Sequence, residues 1–546
     1  MSVLLIEGFL RCKFLILYVI KLWLLFKDRV VNLAGIALNE DVQEKLYPLF
    51  VLIILQGVIS ASSMVVEIVA GRMIAPYVGM SLYTWTAIIA VVLAGFSIGN
   101  WIGGKIATSK ITTALRVSGG VMMFAAMSTA CAGLLLRLLA TPIISNTSEP
   151  LVAISLITIG AFFLPSVLAG IPAPILTVAA MRGRSNSEYA LGLMYSVGAF
   201  GAIIGTVAAG FVLIPHFGST STLILVSVVY IASSILCFWL GKGRMHQLIF
   251  TLSGAAILFL TSLHVLDQPQ VCDHESEYFC IRVVDLDPLL PGETKLMVID
   301  HLAHGISNLK NPRVMYTPHA ALLDGLARER MKSKSTFNSF HIGGGTYSIP
   351  RAWYDRGFSN ITVAEIDPVV TEVAADNFWL NRESIRIEHE DARLLLQREN
   401  IKYDVIIGDA FTDIAVPEHL ITVEFFDLVN QRLMTDGVFL MNFMDNVERL
   451  DAFSAVVVSL QSVFKNVEVW TEASSPQKGE RRVFVFLASN KKSDFNSIRL
   501  RVPEYTRFSV LDDTFITSII ERKSPRLLTD DHAPLAYLMG FDPILN

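Results

Sequence analysis

The stretch HIGGGTYSIPRAWYDRGFSNITVAEIDP, residues His341–Pro368, decides the fold expected for the C-terminal half of this chain. One apolar run ends in three glycines, Gly343, Gly344 and Gly345, and a second ends in Glu365, about 20 residues later. Glycine has no Cβ, so its backbone can turn tightly and approach a ligand closely. A glycine turn after one strand and an acid after the next are typical of an α/β sheet that binds a nucleoside, because the carboxylate can accept the ribose hydroxyls.

Short apolar runs that end in polar turns continue along this half of the chain. Those expected to be strands are STFNSFHI, NITVAEI, IRIEHE, YDVIIG and GVFLMNFM, and helix-like stretches such as Asp367–Leu380 and Thr422–Met434 separate them. Strands that alternate with helices predict a parallel sheet with helices on both faces. We predict an α/β Rossmann-like domain over residues 331–546. The runs YFCIRVVD and KLMVID around PLLPGE predict a small antiparallel β subdomain over residues 267–330.

The N-terminal half has the composition of a membrane protein. The chain is 53% hydrophobic and only 17% charged, and the apolar excess lies before about Leu266. Seven runs are near or above the ~20 residues that a helix needs to cross a bilayer. They are Leu49–Ala70, Tyr83–Gly104, Ser118–Ala140, Leu151–Met181, Ala190–Ile214, Ser219–Leu240 and Leu248–Leu266. We predict a polytopic α-helical transmembrane domain of about seven helices over residues 48–266, surrounded by the lipid bilayer.

Residues 1–47 contain an eighth run, Val3–Phe26, which carries three basic residues. It is expected to be a signal peptide, an extra helix or an interfacial helix. Within the seven runs, the row Gly95, Gly99 and Gly103 and the pair Gly201 and Gly205 have the GxxxG spacing that lets helices approach closely in lipid.

The basic loops and the expected chemistry predict opposite sides of the membrane for the C-terminal half. Lysines and arginines follow the second, fourth and sixth runs, and the positive-inside rule puts such loops in the cytoplasm. A seventh span would then leave the C-terminal half outside. A nucleotide-using domain is expected inside, so we expect a multi-pass protein of the cell (inner) membrane with a cytoplasmic C-terminal domain. A disulfide between Cys272 and Cys280 would contradict this placement, because disulfides persist in oxidising compartments.

Composition and motif spacing argue against two classes of partner. The formal net charge of −5 provides no basic field for nucleic acid. The five cysteines form no CxxC motif, and the HxxH motif of His301 and His304, with His319 nearby, has no carboxylate at a fixed spacing, so no metal site is predicted. The sequence leaves open whether the protein forms a homo-oligomer.

Three further acids follow strand-like runs. Asp391 ends the third run, where it could accept the exocyclic amine of an adenine. Asp409 ends a wholly apolar fourth run, and Asp413 lies four residues on. Two carboxylates at the mouth of a nucleoside pocket suit a cationic amine, since they can hold an ammonium group and one can accept its proton. The alternative for each acid is a helix cap or a solvated turn.

These motifs together resemble the polyamine aminopropyltransferase (spermidine synthase) family, whose fold is a methyltransferase-type Rossmann fold. The resemblance runs from about Tyr278 to Tyr537 through GGG, EIDP, EDAR, DVIIGDAF and LLTDDHAPLAYL. With the apolar half in front, the chain resembles the membrane-fused spermidine synthase-like proteins. The resemblance implies that the three glycines, Glu365 and Asp391 bind decarboxylated S-adenosylmethionine as co-substrate. It also implies that Asp409 deprotonates a diamine such as putrescine, with 5′-methylthioadenosine as product and no tightly bound cofactor.

The amine half of the site departs from the family pattern. Thr346 stands where the family's glycine turn continues into an aspartate, and Asp413 comes one residue late. Tyr316 is the candidate match to a family tyrosine that contacts the diamine. We expect Asp413, Tyr316 and Thr346 to bind the acceptor. The loss of one charge-assisted contact is worth ~1.5–3 kcal/mol, so the identity of the acceptor amine stays open.

Two other functions are compatible with the sequence. One is a transporter or sensor whose synthase-like domain binds a nucleoside or polyamine without turnover, with Glu67 and Arg72 as a polar site in the apolar half. Thr346 keeps this alternative open. The other is a methyltransferase that uses S-adenosylmethionine on the same fold. Asp409 and the upstream β subdomain argue against it.

Overall fold

The computed structural model describes residues 47–147, 149–267, 270–287, 289–290, 292–411 and 415–540. Of the predicted N-terminal segment, only Tyr47 is among them. The apolar run Val3–Phe26 therefore lies outside the described residues, and so does Asp413.

Six helices of the described part are long and apolar enough to cross a membrane, which is consistent with a multi-pass membrane protein. They are α1 (Leu49–Val78), α2 (Leu82–Ala107), α3 (Ile111–Asn146), α4 (Leu151–Met181), α5 (Ser187–Leu240) and α6 (Met245–Asp267). The sequence predicted about seven. The described part has six because the fifth and sixth apolar runs are joined in the 54-residue α5. Gly218 interrupts α5 with a non-helical backbone (φ 75°, ψ 164°), so each run still forms its own helical segment.

Glycines allow the helices of the apolar half to pack with their backbones in contact. A Cβ added to Gly99 or Gly103 of α2 would lie 2.2 Å from a carbonyl oxygen of α4, that of Val167 or Ile171. The GxxxG pair of α5 packs against α1 in the same way. Helix α4 contains a π-helical turn over Ile159–Phe163, just before the first of its prolines. The apolar faces of these helices meet in one hydrophobic core.

The small β subdomain is a four-stranded sheet of order β1-β2-β3-β4 in which all neighbours are antiparallel. Its strands are β1 (His274–Glu275), β2 (Cys280–Asp285), β3 (Thr294–Ile299) and β4 (Leu302–Asn308). Strands β2 and β3 are the two predicted from YFCIRVVD and KLMVID.

The C-terminal domain is built on a nine-stranded sheet of order β12-β13-β10-β11-β9-β8-β5-β6-β7. Its strands are β5 (Ser339–Ile342), β6 (Ile361–Ala364), β7 (Arg386–Glu388), β8 (Tyr403–Gly408), β9 (Leu433–Asn446), β10 (Asn466–Glu472), β11 (Arg481–Ser489), β12 (Ser497–Val502) and β13 (Glu504–Val510). The first five are mutually parallel, as predicted, and the last four pair antiparallel.

Helices cover both faces of this sheet and pack against its strands in two apolar cores. They are α7 (Pro318–Arg330), α8 (Ser348–Asp355), α9 (Pro368–Asn377), α10 (Ala392–Arg398), α11 (Val423–Arg432), α12 (Asp451–Gln461), α13 (Asp513–Lys523) and α14 (Leu535–Met539). The predicted fold class is confirmed, whereas the domain boundaries stay predictions. Strand β5 lies between β6 and β8, so the strand order reverses there, and such a switch point is where open α/β sheets bind ligands.

The β subdomain rests on the apolar helices through a few polar contacts. The guanidinium of Arg72, in the last turns of α1, donates to the carbonyl oxygens of Ser276 (2.9 Å) and Tyr278 (2.5 Å). The Glu275 carboxylate accepts from the backbone N–H of Ser219 (2.7 Å), next to the break in α5, and from its hydroxyl. These contacts join the two halves at one end of the helices.

Candidate active site

A cavity of about 520 Å³ lies beyond the carboxyl ends of β5 and β8. The described part of the chain contributes to its wall from three regions. The Rossmann-like domain supplies the glycine turn, Glu365, Asp391 and Asp409, and the β subdomain supplies the start of β4. The apolar half supplies Arg72, Met80 and Trp85, from the end of α1 and the start of α2. A ligand in this cavity would therefore contact both halves of the protein.

The glycine turn has the conformation that its sequence predicts. Gly343 has a φ of 91° and Gly345 a φ of 50°, and L-residues with side chains rarely adopt such values. A Cβ on Gly343 would also lie only 2.7 Å from the carbonyl oxygen of Asp409. The turn therefore needs glycine both for its backbone conformation and for the close approach of the loop after β8.

Glu365 lies at the end of β6, against this turn. One carboxylate oxygen accepts from the backbone N–H of Gly344 (2.7 Å) and the other from that of Asp367 (2.9 Å). Burial raises the pKa of Glu365, and the two backbone hydrogen bonds oppose that shift. Each carboxylate oxygen has a second lone pair, so the buried group can still accept hydrogen bonds from a ribose.

Asp391 has both of the roles considered for it, since it caps a helix and lines the cavity. Its carboxylate accepts from the backbone N–H of Leu394 in the first turn of α10 (3.0 Å). It also lies 2.8 Å from the Nε2 of His419, and this hydrogen bond holds the pKa of Asp391 below its ordinary value. An ionised Asp391 suits an acceptor for an exocyclic amine.

The late LLTDDHAPLAYL motif stabilises this side of the cavity from outside. Asp530 forms two hydrogen bonds with Arg393 (2.7 and 2.6 Å), and Arg393 also donates to the carbonyl oxygen of His419 (3.0 Å). The Thr422 hydroxyl donates to Asp530 at 2.7 Å. The motif thus ties α10 and α11 to the C-terminal segment, and neither Asp530 nor Arg393 lines the cavity.

Asp409 follows β8 and is half-buried in the cavity wall. Its backbone N–H donates to the carbonyl oxygen of Ile342 at the end of β5, which sets the carboxylate beside the glycine turn. Asn442 of β9 donates from Nδ2 to Asp409 Oδ1 at 2.8 Å. This bond orients the carboxylate and leaves its other oxygen available to accept a proton. The buried Oδ1 of Asn442, which also lines the cavity, has no hydrogen-bond partner in the described structure.

Thr346 lies in the cavity wall and is only 3% exposed. Its hydroxyl pairs with that of Ser348 at 2.5 Å, and it packs against Gly305 of β4, where an added Cβ would lie 2.5 Å from the Thr346 oxygen. The position where the family pattern has a carboxylate therefore holds a small neutral side chain at the contact with the β subdomain.

The structure does not assign a place in the cavity wall to the other two predicted acceptor residues. The half-buried Tyr316 is not among the residues that line it, and Asp413 lies outside the described residues. Thr317 and His319, just after Tyr316, do line the cavity. The roles of Tyr316 and Asp413 in binding the acceptor stay predictions.

Sequence reasoning missed the histidines of the cavity as candidate functional residues. His304 of β4 and His319 both line it, as does the buried His341. Burial lowers the pKa of His304, with Asp409 opposing the shift, and lowers that of His341 to about 3. His304 Nδ1 lies 3.0 Å from the Leu302 carbonyl oxygen, so in the neutral ring Nδ1–H is the donor and Nε2 can accept a proton or an N–H. The HxxH spacing was the only signal, and it pointed to metals.

Comparison with known proteins identifies the domain that carries this cavity. The family model described as a spermine/spermidine synthase domain matches residues 338–497, which include the glycine turn, Glu365, Asp391 and Asp409. Residues 338–497 are therefore similar to a spermine/spermidine synthase domain. We refer to residues 270–540 of the described structure as the synthase half, since this domain and the β subdomain form the cavity together.

Three curated relatives illustrate the similarity. The chain is 32% identical over 154 residues to a polyamine aminopropyltransferase of Vibrio vulnificus, and the match covers 27% of this chain and 49% of that protein. An N-terminal histidine N-methyltransferase of Emericella nidulans is 30% identical over 194 residues, 35% of this chain and 33% of that protein. A polyamine aminopropyltransferase of Oceanobacillus iheyensis is 22% identical over 448 residues, 76% of this chain and 81% of that protein.

These matches cover different shares of the chain and of the relatives. The chain spans about half or less of the length of the first two relatives. The third match covers 76% of the chain, so it has to include part of the apolar half, because residues 267–546 are only about half of the sequence. An apolar N-terminal half joined to a synthase domain thus also aligns with a curated aminopropyltransferase.

Proposed function

We propose that this protein is a membrane-bound aminopropyltransferase. It transfers the aminopropyl group of decarboxylated S-adenosylmethionine to a diamine such as putrescine and releases 5′-methylthioadenosine. The observation that carries the proposal is the position of Asp409 between the glycine turn and Asn442, in a cavity that also contains Glu365 and Asp391. The family match over residues 338–497 supports the same reaction class.

In the proposed reaction the glycine turn lets the nucleoside approach the backbone, Glu365 accepts the ribose hydroxyls and Asp391 accepts the adenine amine. The acceptor nitrogen attacks the aminopropyl carbon that is bonded to sulfur. A nitrogen–carbon bond forms, the carbon–sulfur bond breaks, and its electron pair neutralises the sulfonium in the departing thioether. The acceptor ammonium first loses a proton to Asp409, which frees the nitrogen lone pair that forms the new bond. General-base help of this kind contributes about 10²–10⁴-fold to a rate.

The proposed acceptor site consists of Thr346 and Asp409, with Tyr316 and Asp413 as further candidates. Thr346 is neutral, so the site holds one carboxylate fewer than the family pattern. His304 and His319 also line the cavity. His304 has a lowered pKa and is therefore neutral at physiological pH, where it can accept an N–H of the distal ammonium group.

The test is release of 5′-methylthioadenosine by detergent-solubilised full-length protein given decarboxylated S-adenosylmethionine and a panel of amines. Asp409→Asn keeps the hydrogen bond with Asn442, since the new amide oxygen can accept it, and removes the base. We expect kcat to fall about 10²–10⁴-fold while the nucleoside still binds. Asp376→Asn, at an exposed position of α9, is the matched control and should leave the rate unchanged.

Two alternative functions give different results in the same assay. The contribution of Arg72, Met80 and Trp85 to the cavity wall favours a sensor or transporter as the second candidate. For that function, the nucleoside binds and no thioether is released with any amine. The similarity to a histidine N-methyltransferase makes a methyltransferase the third. Product formed only from S-adenosylmethionine, with release of S-adenosylhomocysteine, would support it against our proposal.

A further inference from the structure

The basic loops of the apolar half lie together at one end of its helices. Arg182, after α4, donates to two carbonyl oxygens at the end of α2, those of Ala107 and Ser109, both at 3.2 Å. Arg184 donates to the carbonyl oxygen of Tyr47, just before α1. The loop after α5 joins the same group, since a Cβ on Gly241 would lie 2.8 Å from the side chain of Arg116. We call this end the basic end. Its lysines and arginines are Lys105, Lys110, Arg116, Arg182, Arg184, Lys242 and Arg244.

The opposite end of the helices carries almost no positive charge in its loops. The connections over residues 79–81, 147–149 and 215–220 contain no lysine or arginine. Two arginines lie in helices near this end, and the synthase half meets both of them. Arg72 donates to two of its backbone carbonyls, and Arg137 lines a second cavity with residues 270–273 and Glu275. The loops of the basic end therefore contain five basic residues and those of the opposite end none. With the ends of the helices included, which adds Lys105 and Arg116 to one end and Arg72 and Arg137 to the other, the counts are seven and two.

The synthase half rests on this second end. Glu275 binds Ser219 beside the break in α5, and Arg72 binds the segment before β2. Met80 and Trp85, in the loop after α1 and the start of α2, line the active-site cavity itself. From Tyr47 at the basic end, α1 to α4, the two segments of α5, and α6 cross between the ends seven times. An odd number of crossings brings the chain out at the end where the synthase half lies.

A second observation concerns the redox environment of that end. Cys272 and Cys280, which follow α6 directly, form a disulfide between the start of the β subdomain and β2. Cytosolic thiols are kept reduced, and structural disulfides persist mainly in secreted, periplasmic and extracellular settings. The bond lies in the segment that also contacts Ser219 and Arg72.

We propose that the synthase half and its cavity lie on the non-cytoplasmic face of the membrane. Loops rich in lysine and arginine stay in the cytoplasm, so the basic end is cytoplasmic and the opposite end faces the oxidising compartment. This reverses the cytoplasmic placement expected from the nucleotide chemistry. The substrates of the cavity must then be delivered across the membrane or produced on its outer side. The placement depends on the helices and not on the proposed reaction, so it can hold or fail independently of that proposal.

The experiment uses the full chain in spheroplasts and a membrane-impermeant maleimide. Ser185→Cys adds a thiol to an exposed residue at the basic end, and Ser475→Cys adds one to an exposed loop of the synthase half. The unsubstituted chain gives the background, and permeabilised cells must label both variants. We expect labelling of Ser475→Cys and protection of Ser185→Cys in intact spheroplasts. Labelling of Ser185→Cys with protection of Ser475→Cys would overturn the proposal.

The disulfide provides a measurement on the unsubstituted chain, so the result does not depend on a variant that folds. Cells are quenched with acid, and the denatured protein is treated with a maleimide of high mass before and after reduction. The chain has five cysteines, so a bond between Cys272 and Cys280 leaves at least two of them unlabelled before reduction, and all five are labelled after it. Five additions before reduction would show reduced thiols at Cys272 and Cys280 and would contradict the placement.

Discussion

Replacing Thr346 by aspartate should increase the affinity of the site for diamines. Thr346 is 3% exposed, lines the cavity next to the glycine turn and packs closely against Gly305 of β4. Its hydroxyl already pairs with Ser348, and that hydroxyl can turn to donate to a carboxylate. Thr346→Asp would thus place a second negative charge in the same cavity as Asp409. A charge-assisted hydrogen bond to the distal ammonium is worth ~1.5–3 kcal/mol. At 1.4 kcal/mol per factor of ten, this lowers KM for the diamine about 10- to 150-fold.

The assay compares KM for putrescine and for butylamine, a monoamine without the distal ammonium, in Thr346→Asp and Thr346→Asn. The asparagine has the shape of aspartate without its charge, so the ratio between the two variants isolates the electrostatic contribution. We expect a large ratio for putrescine and a ratio near one for butylamine. Equal putrescine KM values in the two variants would refute the reasoning, as would a ratio for butylamine as large as that for the diamine. Either result would mean that the carboxylate does not contact the second amine.

Three further predictions concern the nucleoside site, the helix packing and the C-terminal motif. Burial raises the pKa of Glu365 above its ordinary 4.5, so calorimetric titrations should show nucleoside affinity lost as the pH falls through that raised value. The ligand-free domain should become more stable over the same interval, because the folded state binds the extra proton. Gly99→Ala should reduce the unfolding free energy of the solubilised protein by about 1–3 kcal/mol, since the added Cβ would lie 2.2 Å from a carbonyl oxygen of α4. Gly104→Ala is the control and should leave the unfolding free energy unchanged, because an added Cβ there has no atom within 4 Å. Asp530→Asn removes an exposed ion pair with Arg393 and should reduce the unfolding free energy of the synthase half by about 1 kcal/mol or less, with kcat unchanged; a loss of kcat at normal stability would contradict the purely structural role.

Several site residues were recognisable because their chemistry is encoded locally. Gly343 and Gly345 have positive φ values that glycine accepts most readily, and Glu365 and Asp391 each follow a strand. Parallel strands bring their carboxyl ends to one edge of a sheet, so acids that follow successive strands were expected to meet. The structure places all of these residues in one cavity wall.

Other parts of the site had no local signal. His304 and His319 line the cavity, although the only pattern nearby was the weak HxxH metal motif of His301 and His304. Tyr316 matched a family position and yet does not line the cavity in the described structure, whereas its neighbour Thr317 does. Asn442 had no signal at all, because an asparagine within an apolar strand becomes a partner of Asp409 only when β9 pairs beside β8.

The sequence by itself determined the two halves of this protein, the parallel direction of β5 to β9, and the turn that fits a nucleoside. Those properties depend on periodicity and on the chemistry of neighbouring residues. Only the tertiary structure decided that Arg72, 206 residues before Tyr278, joins the two halves, and that Met80 and Trp85 close the cavity. It also decided that Cys272 pairs with Cys280 at the end of the helices opposite the basic loops. Contacts between residues so far apart in the chain depend on how complete helices and sheets pack, and no local pattern records that packing.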